Sequence, residues 1–376
     1  MNRNFSTAIS SCAYYVPDGK LTHEELVGRF GEETMGKIAP SAGIWERRVA
    51  LNGECASDLA FRAAQDLLTR HNIDRESIDL LLFATQTPDY ILPTTACILQ
   101  ERLGLSKRAA AFDINLGCSQ YVYSLAVGHS MIVAGIARRA LVMTGDTVSR
   151  ILHPQDRTVV PLFGDAGSAT LLDTVKKGEG FIDFDLGSDG SGHEFLIWPT
   201  SGLRRERSAE TAREKMDKQG ALRRQDDMYM NGPAIFVFTL KVVPDMIKRL
   251  LKKTSLTIDD IDLFVFHQAS VLIVQTSANK LKIPPDKLHY RLHDLGNSGG
   301  TTVAIALTDA WLEGRIKPGM NIVLCAFGVG LSWSATLLKW PETTLGPVCT
   351  VDYSSSPQKP LSQQCANPCS KLENST

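Results

Sequence analysis

The alternation of apolar and polar positions along this chain occurs twice over. SIDLLLFATQTPDYILPTTACILQERLGL (77–105) and DIDLFVFHQASVLIVQTSANKLKI (260–283) each pass from an acid-led apolar strand, through a polar strand end, into an amphipathic helix. A second pair follows in the same order: FDINLGCSQYVYSLAVGHSMIVAGIARRALVMTGD (112–146) and LHDLGNSGGTTVAIALTDAWLEGRIKPGMNIVLCAFG (292–328). Ile78 pairs with Ile261, and Gly117 with Gly296 and Gly135 with Gly314 at one common offset. In this register Cys118 corresponds to Asn297, and in the separate register of Ile78 and Ile261 Ala84 corresponds to His267.

Two βαβ-type halves in one chain imply a layered α/β fold with pseudo-twofold symmetry, divided as residues 1–180 and 181–340. Equivalent strand ends then converge near the axis, which makes Cys118, His267 and Asn297 neighbours. Residues 341–376, rich in Pro, Ser, Thr and Gln, read as a flexible tail.

A chain of 376 residues exceeds one simple core, in keeping with two halves. Its net charge of -1 gives no footprint for nucleic acid or an anionic membrane. The start, MNRNFSTAISSCAYYVP, lacks an export-type apolar run, and no stretch reaches the roughly 18 apolar residues of a membrane span, so a cytoplasmic protein is expected. Eight cysteines without close pairing fit free thiols in a reducing compartment. Cys365 and Cys369 lack a second pair or a histidine, so no metal is expected. FGDAG and GVG do not match a phosphate cradle, and no cofactor is expected. The densely charged stretch 202–226 reads as a solvated loop or helix.

Cys118 stands where a strand ending at Ile114 gives way to a helix over Tyr121–Ala134. Most such cysteines are small buried hydrophobes. At a helix N-terminus, however, unpaired N–H groups lower a thiol pKa and can hold an oxyanion. A cysteine with a histidine and an asparagine suits acyl transfer, and a papain-like hydrolase uses the same three types. Taken singly, His267 reads equally as a hydrogen-bonded strand-end residue, and Asn297 as an Asx turn or helix cap.

Local motifs separate these readings. FHQAS (266–270), GNSGG (296–300), FGVGLSW (327–333), FGDAGSATLL (163–172) and SDGSGHEFLIWP (188–199) together resemble β-ketoacyl carrier-protein synthase III, one of the thiolase-like condensing enzymes, over roughly residues 5–340. The resemblance implies a thiolase-like layered αβαβα fold and a homodimer. It implies that Cys118 takes an acyl group from a thioester, with backbone N–H groups of Cys118 and Val329 as the oxyanion hole. His267 and Asn297 then donate to the thioester oxygen of malonyl-acyl carrier protein as carbon dioxide leaves. Leu92, Asp156, Arg157, Gly299 and Gly328 fall at substrate-binding positions: Leu92 where the family reaches into the partner subunit's acyl pocket, Asp156 and Arg157 near the phosphates of an acyl-CoA.

Departures from the family pattern bear on the substrate. Lys37 and Ser41 occupy the positions of a Trp and an Arg that grip adenine, so an acyl-carrier-protein donor is expected over acyl-CoA, with Trp45 or Arg47 as substitute surfaces. Ser270, Leu272 and Val237 replace a common Asn, Arg and Lys, and Gln120 replaces the usual Gly two residues after the cysteine. Two other functions stay open: a same-fold acyltransferase acting on an alcohol or amine, and a catalytically silent partner subunit, which the joint presence of Cys118, His267 and Asn297 disfavours.

Overall fold

The computed structural model describes residues 5–217 and 220–349. A first sheet contains β1 (Phe5–Tyr15), β2 (Leu80–Ala84), β3 (Ala110–Ile114), β4 (Ala140–Asp146) and β5 (Ala166–Lys176). A second contains β6 (Gly180–Ser188), β7 (Leu263–Phe266), β8 (Asn321–Gly328) and β9 (Ser332–Lys339). A two-residue strand, β10 (Val348–Cys349), completes the first sheet, whose order is β10-β1-β5-β4-β2-β3; the second runs β7-β8-β9-β6. In both, parallel pairing (β2 with β4, β7 with β8) gives way to antiparallel pairing (β4 with β5, β8 with β9).

Six helices complete the layers: α1 (Ala56–Arg70), α2 (Thr95–Arg102), α3 (Gln120–Ala134), α4 (Gly232–Thr254), α5 (Val271–Leu281) and α6 (Thr301–Leu312). The middle pair, α3 and α6, is apolar nearly all round, as a helix between two sheets must be. Tyr121, Val122 and Leu125 of α3 and Val303, Ala304 and Leu307 of α6 share one core with Leu82, Val142, Val265 and Leu324 of the two sheets. The outer faces are covered separately. Leu67 and Leu99, from α1 and α2, pack on Leu81 and Met143, whereas Met246 and Val274, from α4 and α5, pack on Phe264 and Val323. The result is the αβαβα stack. The repeated glycines hold equivalent places: Gly135 closes α3 at φ +81° and Gly314 follows α6 at φ +71°, left-handed turns that a Cβ would disfavour.

The expected tail starts too early. Val348 is 3% exposed and pairs with Ala13 of β1, Leu345 N–H donates to the Ser10 carbonyl at 2.8 Å, and Ser11 Oγ donates to the Gly346 carbonyl at 2.7 Å. Residues 341–349 thus belong to the fold because they satisfy the open edge of β1; the rest of that segment, with Cys365 and Cys369, lies outside the described residues. The described residues of the charged stretch 202–226 are loop apart from one short pair of strands, Lys215–Met216 against Leu222–Arg223. Among the described residues no helix is long and apolar enough to cross a membrane.

Candidate active site

The start of α3, the start of α6 and the ends of β7 and β8 meet at one place. Cys118 lies in the turn immediately before α3 and is 6% exposed. Ser119 fastens that turn to β9: its hydroxyl lies 2.7 Å from Ser332 Oγ, and its carbonyl accepts from Ser334 Oγ at 3.0 Å. Gly328, ending β8, passes so close to the sulfur that a Cβ there would sit 2.6 Å from Sγ. The preceding residue, Phe327, turns its ring edge to the His267 imidazole at 5.5 Å between centroids. From the other side Gly300 abuts the Gly117 and Cys118 carbonyls, where a Cβ would lie 2.8 and 3.1 Å away. Glycine is required at these contacts for room.

His267 follows β7 and is held through Nδ1, which lies 2.7 Å from Thr302 Oγ1. The same hydroxyl accepts from Gln268 N–H at 3.1 Å and donates to the Gly299 carbonyl at 2.9 Å. Chemistry at this ring therefore falls to Nε2. Burial holds the imidazole neutral, lowering its pKa from 6.5 to about 3 against a smaller opposing effect of the Gly299 carbonyl. While the hydroxyl donates to the Gly299 carbonyl the ring's proton sits on Nδ1; when the hydroxyl turns from that carbonyl to Nδ1, the neutral ring carries its own proton on Nε2 and donates from it. Asn297 is fixed by the same loop: its Oδ1 accepts from Gly299 N–H at 3.0 Å, and its backbone bridges to the Leu162 carbonyl and Gly164 N–H. The side-chain NH₂ is left to donate.

Cys118 departs from the expectation of an acidified thiol. Burial is the largest influence and, with the Asp146 charge adding to it, raises the pKa from 9.0 to about 11. The backbone N–H groups of Val329 and of Cys118 itself act in the opposite sense, favouring the thiolate, without prevailing. Two amides facing one sulfur are nevertheless the arrangement that accommodates a tetrahedral oxyanion on an acyl group attached there.

The other expected residues are dispersed. Leu92 is 86% exposed, beside exposed Tyr90 and Ile91. Asp156 is fully buried, accepting from Thr158 N–H at 2.9 Å and Arg223 Nε at 2.8 Å, so its carboxylate braces the 153–158 turn and is not available to a ligand. The adjacent Arg157 has its guanidinium against Gly220. Lys37 pairs with Glu33 at 2.8 Å, and Ser41 Oγ donates to the Ile38 carbonyl at 3.0 Å; neither makes an aromatic or guanidinium clamp. Arg47 is fully buried, donating to the Leu21 carbonyl, which excludes it as a stacking surface. Trp45 is 38% exposed, its ring 4.8 Å from that of His23 and 6.4 Å from that of His293. Ser270 caps α5 by accepting from Ile273 N–H at 3.2 Å, while Leu272 and Val237 are solvent-facing.

Sequence reading missed Thr302 and Asp146. Thr302 lies just past the GNSGG motif, and Asp146 is an acid ending an otherwise apolar strand; the second oddity is the stronger signal. Among the described residues no group of three or more His, Cys, Asp or Glu is placed to hold a metal. The assembled groups, a thiol with two amides behind it and two neutral donors across from it, can take up an acyl group and stabilise an enolate.

Comparison with known proteins agrees with this chemistry. Residues 112–190 match the family 3-oxoacyl-[acyl-carrier-protein (ACP)] synthase III, and residues 251–340 its C-terminal part. The chain is 35% identical to the β-ketoacyl-[acyl-carrier-protein] synthase III of Caldanaerobacter subterraneus subsp. tengcongensis, over 91% of this chain and 100% of that one. It is 36% identical to that of Symbiobacterium thermophilum, over 88% and 97%. A solved 3-oxoacyl-(acyl-carrier-protein) synthase III superposes with a TM-score of 0.86 at 38% identity, covering 89% of this chain and all of the other. The Thermus thermophilus enzyme superposes at 0.79 with 34% identity, over 89% and 100%. With this likeness running through nearly the whole length of its relatives, the chain belongs to the β-ketoacyl-[acyl-carrier-protein] synthase III family of thiolase-fold condensing enzymes.

Proposed function

We propose that this chain performs a decarboxylative Claisen condensation between an acyl group on Cys118 and malonyl-acyl carrier protein. The sulfur attacks the donor thioester, the oxyanion is met by the Val329 and Cys118 N–H groups, and the thiol proton leaves with the departing thiol. Malonyl-carrier protein then enters with its thioester oxygen toward His267 Nε2–H and the Asn297 NH₂. These donors stabilise the enolate formed as the C–C bond to the carboxylate breaks and carbon dioxide leaves. The enolate carbon attacks acyl-Cys118, the C–S bond breaks, and the thiolate takes up one proton from solvent. The product is a β-ketoacyl thioester, formed by ping-pong kinetics.

The single observation that carries this reading is the orientation of Asn297, whose carbonyl is occupied by Gly299 N–H at 3.0 Å so that only donors remain. Acyl transfer to an alcohol or amine has no enolate to stabilise and gives that orientation no task. The absence of an adenine clamp at Lys37 and Ser41 supports a carrier-protein donor, with CoA thioesters used poorly. Exposed Tyr90, Ile91 and Leu92 support a homodimer in which this loop enters the second subunit. The test is incubation with an acyl-carrier protein and malonyl-carrier protein: carbon dioxide release matched by a β-ketoacyl thioester is expected, and acyl loading with no carbon dioxide release contradicts the reading.

A further inference from the structure

Gln120, the first residue of α3, and Asp146, the last of β4, form a buried pair behind the nucleophile, each fully inaccessible to solvent. Gln120 Nε2 donates to Asp146 Oδ2 at 2.9 Å, while Oδ1 accepts from Gln86 N–H at 2.7 Å and Thr85 Oγ1 at 3.2 Å. Space for the glutamine comes from Gly300, where a Cβ would lie 2.4 Å from its Cγ. Gly299 approaches the carboxylate as closely: a Cβ there would lie 2.9 Å from Oδ2. One carboxyl group thus touches the ends of β2 and β4, the nucleophile's helix and the loop that carries Asn297. All three donors to it are neutral, so nothing in direct contact cancels its charge.

We infer that Asp146, held by Gln120, is a positioning residue that acts through Cys118: its charge, behind the start of α3, reinforces burial in opposing ionisation of the resting nucleophile. The charge raises the Cys118 pKa, adding to burial. Asp146 itself is pushed up to about 7 by burial, opposed by Gln86 N–H, Gln120 and Thr85, with the Asp165 charge adding to the rise. Asp165, before β5, in turn faces Arg150, and His267 across the site is neutral. Asp146 therefore gains its charge between about pH 6 and 8, and over that window thiolate formation at Cys118 is increasingly opposed.

The inference rests on Cys118 as nucleophile, but its test needs no malonyl substrate, so failure of the condensation reading leaves it standing. The rate of Cys118 alkylation by iodoacetamide is measured on the full chain by peptide mass spectrometry. For the unmodified protein the logarithm of the rate should climb by less than one per pH unit between pH 6 and 8. Asp146→Asn should restore a slope of one and raise the rate at pH 8 by about 10-fold, a like charge being worth about one pH unit. Gln120→Met, which removes the donor that favours the charged carboxylate, should raise it several-fold. A purely structural pair would leave slope and rate where they are. An unchanged rate in folded Asp146→Asn overturns the inference; should that variant fail to fold, Gln120→Met decides, a raised rate supporting and an unchanged or lowered one overturning it.

Discussion

Asn297 and Gly299 are joined by a hydrogen bond of 3.0 Å in which the side-chain carbonyl accepts from the backbone N–H two residues on. The bond fixes which end of the amide faces a substrate. Asn297→Asp keeps the acceptor and replaces the donor with an oxygen. Condensation should fall by about 100-fold or more, the cost of one oxyanion donor, while acyl loading of Cys118 persists. Single-turnover loading and steady-state carbon dioxide release, measured on the same preparation, separate the two steps.

His267 makes stability depend on pH. Its pKa falls from 6.5 to about 3 on folding, so below pH 6.5 the unfolded chain binds a proton that the native chain refuses. Stability contributed at neutral pH is lost as pH falls from about 6.5 toward 3. Between pH 6.5 and 5 the loss is roughly 2 kcal/mol. His267→Gln removes this dependence, and urea unfolding at pH 7 and pH 5 should show a smaller decline in the variant.

The segment 341–349 should contribute to the fold. A chain ending at Cys349 retains the burial of Val348 and the Ser11–Gly346 bond; one ending at Pro341 loses both. The longer form should be more stable by about 2 kcal/mol, the value of one buried valine. Urea titration of the two truncated forms measures the difference.

Without the adenine clamp, binding of a CoA donor forfeits about 1–3 kcal/mol of stacking. The same acyl chain should load Cys118 at least about 5-fold faster from a carrier protein than from CoA at equal subsaturating concentration. Intact-mass time courses compare the two; faster loading from CoA would point to Trp45, the exposed ring beside His23, as a rebuilt adenine surface.

The repeat made the fold legible, because Gly135 and Gly314 mark equivalent helix ends and Cys118 and Asn297 equivalent places before α3 and α6, with His267 just past β7; Gly117 and Gly296 share the register but not the conformation, only Gly296 having a positive φ, +76°. Hidden from the sequence was whatever depends on burial. The position of Cys118 at a helix start points to an acidic thiol, yet desolvation outweighs the amides. Asp156 and Arg47 carry charges that the family resemblance assigns to a ligand, and packing puts both in the interior. Thr302 and Asp146 act through contacts with residues distant in sequence, at 2.7 Å to His267 and 2.9 Å to Gln120, which no local motif records. Gln120 itself gains a physical role only once Gly300 is seen beside it.

The central claim is that one sulfur carries the acyl group and surrenders it to a malonyl-derived enolate. Intact-mass spectrometry of the full chain tests it: acyl-carrier protein is added first, then malonyl-carrier protein, with Cys118→Ala in parallel. The expected result is one acyl adduct, mapped to Cys118, absent from the variant and discharged on the second addition as a β-ketoacyl thioester appears. An adduct that forms in Cys118→Ala, or one on Cys118 that malonyl-carrier protein does not discharge, would contradict it.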